Sequence, residues 1–145
     1  MKIRILAVGK MKKGPWLDLI HEYKKRCKWP MEIIEIDHSQ KSTETKQLLT
    51  YLAPEDHLVL LDERGESLTS EKFASYIEKL QVQAIPRLNF LIGGSSGIDA
   101  SLLQQQHKKI AFGPQTWPHM FVRAMLVEQI YRAESILAGH PYHKD

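Results

Sequence analysis

A chain of 145 residues, 43% hydrophobic and 26% charged, is long enough to bury one core without disulfides or a structural metal, and too apolar to be disordered. A formal charge of +3 does not demand a nucleic-acid partner, and the lone Cys27 cannot form an intramolecular disulfide. No N-terminal stretch reads as a signal peptide and no apolar run reaches the length of a membrane span, so the expectation is one cytoplasmic domain, residues 1–145, with no membrane partner.

"IRILAVG" opens as a mostly apolar strand. Pro15 suits a first helical turn, and Trp16, Leu19, Ile20, Tyr23 and Cys27 follow at helical spacing. Lysines cluster on either side, at "KMKK" (Lys10 to Lys13) and "KKRCK" (Lys24 to Lys28). Such clusters read first as solvated surface and second as a phosphate-binding face. A second strand is predicted over Met31 to Asp37, a helix over Ser42 to Leu52 and a third strand over His57 to Asp62. After a turn at "ERGE", Phe73, Ile77 and Leu80 share one face of a helix from Ser70 to Leu80. "RLNFLIGG" is the fourth strand, and Asp99 a candidate N-cap for another helix. "KIAFG" is a short fifth strand, and Met120 to Leu137 the longest helix, apolar on more than one side. This alternation predicts an α/β fold, a mainly parallel sheet with helices on both faces. In such sheets ligands gather beyond the carboxyl ends of the strands, here the loops after Asp62, Ile92 and Phe112.

The loop after the fourth strand, "LIGGSSGID", lacks the first glycine of a dinucleotide fingerprint, because position 92 is isoleucine. It also lacks the lysine of a phosphate-binding P-loop, since Gly97 is followed by Ile98 and Asp99. A tight strand-to-helix turn would account for its glycines without any ligand. The loop after the fifth strand, "FGPQTWPH", holds two prolines and a glycine, a composition that leaves carbonyls and amides open to a ligand. Beyond it, Arg123, Glu128 and Arg132 interrupt an otherwise apolar helix. Glu128 and Arg132, spaced i and i+4, read as an ion pair or a subunit contact, whereas Arg123 beside the loop is the better ligand candidate.

Taken together, "AVGK", "LDERGE", "LIGG..G" and "T.PH..VR....EQIYRA..I..GHPYHK" resemble the ribosomal RNA large subunit methyltransferase H family of the SPOUT superfamily, over residues 1 to 145. The resemblance implies an S-adenosylmethionine-dependent methylation of N3 of a pseudouridine in 23S ribosomal RNA, presented by the large subunit or the assembled ribosome. It further implies a trefoil knot near the C-terminus and a homodimer packed through the last helix. Cofactor contacts carry over to Leu61, Gly93, Phe112, Gly113, Pro114, Gln115, Thr116 and Trp117. Catalytic roles carry over to Arg123, holding the nucleotide or its phosphate, and to Tyr142 and His143 in a tail that closes over the partner subunit's site. The N3 proton must leave before or during attack, and His119, His140 and His143 are candidate acceptors. "HPYH" resembles half a metal site, yet the chemistry calls for no metal. Two other classes stay open: a non-catalytic RNA-binding module, and a SPOUT enzyme acting on transfer RNA or another ribosomal position.

Overall fold

The computed structural model describes residues 1–103 and 108–144. Five strands, β1 (Lys2–Val8), β2 (Met31–Ile36), β3 (His57–Ser67), β4 (Arg87–Ile92) and β5 (Lys108–Ala111), form one sheet in the order β2-β1-β4-β3-β5. Every pairing is parallel. Four helices connect or follow them: α1 (Pro15–Arg26), α2 (Lys41–Leu49), α3 (Ser70–Val82) and α4 (His119–Leu137).

A sheet buried on both sides needs apolar side chains on both, and the period-2 alternation supplies them. Ile3, Ile5, Ala7, Val59, Phe90 and Ile92 face a core shared with α1, α3 and α4. Leu6, Val8, Leu58, Leu60 and Leu91 face the opposite side, against Leu48 of α2 and the segment carrying Ile98 and Leu103. Helix α4 packs against both α1 and α3, which accounts for its several apolar sides within a single chain.

Two local expectations are revised. "ERGE" does not end the third strand. Strand β3 pairs with β5 through Leu61, shifts register, and pairs again from Glu66. The intervening Asp62 to Gly65 form a bulge at the carboxyl end of the sheet. Gly65 permits this because a Cβ there would stand 2.6 Å from the backbone carbon of Ile110. After Asp99 the chain makes only a 3-10 turn, Ala100–Leu102, before Leu103 turns extended. Asp99 does cap it, accepting the amide of Ser101 at 3.1 Å. Residues 104–107, into which the expected helix would run, lie outside the described residues.

Candidate active site

Beyond the carboxyl ends of β3, β4 and β5 lies a cavity of about 750 Å³. That volume is within the range of roughly 300–1,000 Å³ of small-molecule sites. Its floor is the apolar strand ends, Leu61, Ile92, Ile110 and Phe112, with Val122 of α4. The three predicted loops form most of the remaining wall, joined by Lys41 of α2 and His119 of α4. Asp62, Glu63 and Arg64 come from the β3 bulge, the glycine loop follows β4, and Gly113, Gln115, Thr116 and Trp117 follow β5. Leu61, Gly93, Phe112, Gly113, Gln115, Thr116 and Trp117 are thus brought to one place from three parts of the chain. Pro114 belongs to the same loop, although it is not itself on the wall.

Each loop is held by its own contacts. In the glycine loop the amide of Gly97 donates to the Gly94 carbonyl at 2.9 Å, and the two residues form an isolated antiparallel bridge. A Cβ on Gly93 would lie 2.7 Å from the Gly97 carbonyl carbon. Glycine at 93 is therefore required by this fold-back of the chain on itself, before any ligand is considered. In the loop after β5, Trp117 donates its indole N–H to the Phe112 carbonyl at 2.9 Å, and Thr116 donates its hydroxyl to Glu63, tying this loop to the bulge. Burial works against charge on Asp62, but the Arg64 amide at 2.8 Å and its guanidinium outweigh that and hold the carboxyl below the usual range. With Asp62 paired to Arg64, Glu63 is the further carboxylate that the bulge sets beside the apolar floor.

The expected catalytic side chains are placed elsewhere. Arg123 is 1% exposed and lies behind the wall. Its Nη1 donates to Glu35 Oε2 at 2.5 Å, and its Nη2 to the carbonyls of Val8 and Gly9 at 3.1 and 3.0 Å. Desolvation pulls its pKa down and Glu35 pushes it up, and the net shift is downward. Its guanidinium therefore fastens β1 and β2 to the first turns of α4, and the structure gives it no open face for a nucleotide. The apolar stripe Leu126, Val127, Ile130 and Ala133 already included position 123 by spacing, and that was the signal for its burial.

Tyr142 and His143 lie against their own chain, off the cavity wall among the described residues. Tyr142 donates its hydroxyl to Glu128 at 2.9 Å, lies 3.0 Å from the Tyr23 hydroxyl, and packs its ring 4.8 Å from that of Tyr131. His143 Nδ1 meets Arg132 at 3.1 Å and Nε2 meets Glu71 at 2.8 Å. Arginine can only donate, so Nδ1 accepts and the proton sits on Nε2, directed at Glu71. Glu128 and Arg132 form the expected helix ion pair, at 2.5 Å.

Sequence reading picked out His119 as one of three candidate acceptors but missed the group behind it. His119 opens α4, lines the cavity, and stands edge-to-face with His38 at 5.7 Å. Burial, then the charges of Arg123 and His38, lower its pKa below the ordinary 6.5. Among the described residues no three His, Cys, Asp or Glu side chains come together as metal ligands, and no helix is long and apolar enough to cross a membrane.

A parallel α/β sheet with a glycine-lined cavity beyond three strand ends defines a small-molecule-binding enzyme class, and comparison with known proteins narrows it. The chain belongs to the SPOUT methyltransferase family: the profile described as "Predicted SPOUT methyltransferase" matches residues 1–143. It is similar to proteins named ribosomal RNA large subunit methyltransferase H. That of Phenylobacterium zucineum is 43% identical, with all of both chains covered. That of Rhodospirillum centenum is 42% identical and that of Nitratidesulfovibrio vulgaris 37%, each over 99% of this chain and 99% and 98% of their own.

Proposed function

We infer that this protein transfers a methyl group from S-adenosylmethionine to N3 of a pseudouridine in 23S ribosomal RNA, acting as a cytoplasmic homodimer on the large subunit or assembled ribosome. The observation that carries the reading is the single cavity assembled from the β3 bulge, the glycine loop and the loop after β5, in a SPOUT chain similar along its whole length to large-subunit methyltransferases. When bound, S-adenosylmethionine supplies a methyl group activated by a positive sulfonium.

The residues present fit that ligand. Leu61, Ile92 and Phe112 offer an apolar bed for a purine, and the backbone of Gly93 and of Phe112 to Trp117 offers amides and carbonyls. Glu63 supplies a carboxylate complementary to a cation. A bed that excludes water leaves the charged reactant without hydration, which favours loss of its charge on transfer. Arg123 acts as a positioning residue, keeping the ends of β1 and α4 in register beneath the cavity.

Dimerisation through α4 is supported by the face beside it. Trp16 and Leu19 of α1 are 37% and 43% exposed, and the Trp16 ring packs, tilted, 3.9 Å from that of Phe121 of α4. In a dimer built on that face, Tyr142 and His143 belong to a tail working at the partner's cavity, and the trefoil knot expected near the C-terminus is part of the same assignment. Calorimetric titration with S-adenosylmethionine tests the reading. Saturable one-to-one binding per chain, competed by S-adenosylhomocysteine, is expected, and no binding would leave an RNA-binding module with an idle cavity.

A further inference from the structure

Methylating an imide nitrogen releases a proton, and that proton needs an acceptor. Two histidines stand together at the cavity. His119 is on the cavity wall, and its Nδ1 is shut off from solvent with no hydrogen-bond partner among the described residues. Buried polar atoms left unpaired are few in native proteins, and each calls for an explanation.

Edge-to-face with His119 stands His38, its side chain 55% exposed. Behind His38, 3.6 Å from its Nδ1, is Oε2 of Glu44, a carboxylate that is itself buried and fixed by the Ser39 amide at 2.9 Å. The His38 ring occupies a slot that exists because two neighbours have no side chain. A Cβ on Gly9 would lie 2.8 Å from its Nε2, and a Cβ on Gly94, in the cavity's own glycine loop, 3.3 Å from its Cε1 and Nδ1. The ring is thus seated between the end of β1 and the ligand loop.

We propose that His119 takes the N3 proton of the target base, its ring packed against His38, which Glu44 backs. This rests on the methyl-transfer reading. In the step the N3–H bond breaks and its proton goes to an imidazole nitrogen of His119. The N3 electron pair forms the new N–C bond, and the methyl–sulfur bond breaks with its electrons on sulfur. The imidazolium then returns to neutral by giving its proton to water in the cavity.

The groups facing His119 suit it to the task. Arg123 on its own helix disfavours a lasting positive charge on it, Glu44 of α2 favours one, and Lys41 of α2 also lines the cavity. Burial and the charges around it thus hold His119 toward its neutral, proton-accepting form.

Two measurements test this, one of which needs neither RNA nor cofactor. The imidazole resonance of His119, followed against pH in the whole protein, is expected to titrate below the ordinary histidine range. A His119 midpoint at or above that range would overturn the assignment, whatever the protein's activity.

In single-turnover methylation of large subunits, His119→Asn is expected to lose about 10²–10⁴-fold in rate. Its S-adenosylmethionine affinity should stay within threefold of wild type. The wild-type rate should rise with pH and level off once His119 is neutral, whereas the variant should keep rising. Wild-type rate and profile in His119→Asn, or loss of cofactor affinity instead of rate, would overturn the assignment. A wild-type protein that binds S-adenosylmethionine and methylates nothing would refute the methyl-transfer reading, with the titration still deciding whether His119 is poised to accept a proton.

Discussion

Replacing Arg123 by methionine removes the guanidinium while keeping an unbranched side chain of similar reach. Two carbonyls, Val8 and Gly9, both in buried residues, lose their charged donor, at about 1 kcal/mol each. Glu35 loses its partner too, but its side chain is 30% exposed and water can replace part of the interaction, so about 1 kcal/mol more is assigned there. The total of about 3 kcal/mol sits at the lower end of what breaking a buried pair costs. In a chain of this size it corresponds to a fall in Tm of roughly 6–12 °C. Arg123→Lys should cost less, because one ammonium cannot span a carboxylate and two carbonyls but retains the charge. Urea unfolding of the purified protein measures both. An Arg123→Met protein as stable as wild type that no longer binds RNA would refute the structural assignment and return Arg123 to direct ligand contact.

Asp56 is buried, and although burial raises its pKa, the Arg87 guanidinium at 2.9 Å and the Ala53 amide outweigh that and hold the group below the ordinary 3.8. A lowered folded pKa means stability present above that ordinary value and lost as pH falls through the depressed one. Asp56→Asn should therefore cost about 1–2 kcal/mol at pH 7 and flatten the acid limb of a stability–pH curve, and an unchanged limb would contradict it. Lys12, Lys13, Lys24 and Lys25 are all exposed. Changing the four to glutamine should weaken ribosome binding and lower its logarithmic salt slope by up to roughly 3, with cofactor affinity unchanged, while an intact slope would make them ordinary surface. Deleting residues 142–145 should abolish methylation with dimerisation intact; full activity of the truncated protein would remove Tyr142 and His143 from the reaction.

The sheet was legible because its code is local. Ile3, Ile5 and Ala7 alternate with Leu6 and Val8, and that period assigns both the strand and its two buried faces. The bulge after Leu61 was not, because what keeps Glu66 and Ser67 in the sheet is the approach of Gly65 to the Ile110 backbone, a contact between distant segments that no side-chain pattern encodes. Similarly, Asp99 was recognisable as a cap, but a cap does not say whether one turn or several follow. The cavity loops could be found from where ligands gather on parallel sheets. The group formed by His38, Glu44 and His119 could not, since it depends on β2 lying beside β1 while the glycine loop after β4 returns to the same point. At Arg123 an arginine next to a ligand loop suggests a ligand, and only its partner Glu35, 88 positions away, shows that its charge is matched within this chain.

The central claim, methylation of one pseudouridine in large-subunit RNA, is tested most directly by mass mapping of 23S ribosomal RNA from cells with and without this gene. The account predicts that a single nucleolytic fragment loses the mass of one methyl group when the gene is absent and regains it when the intact gene is restored. Identical fragment masses in the two strains would contradict it.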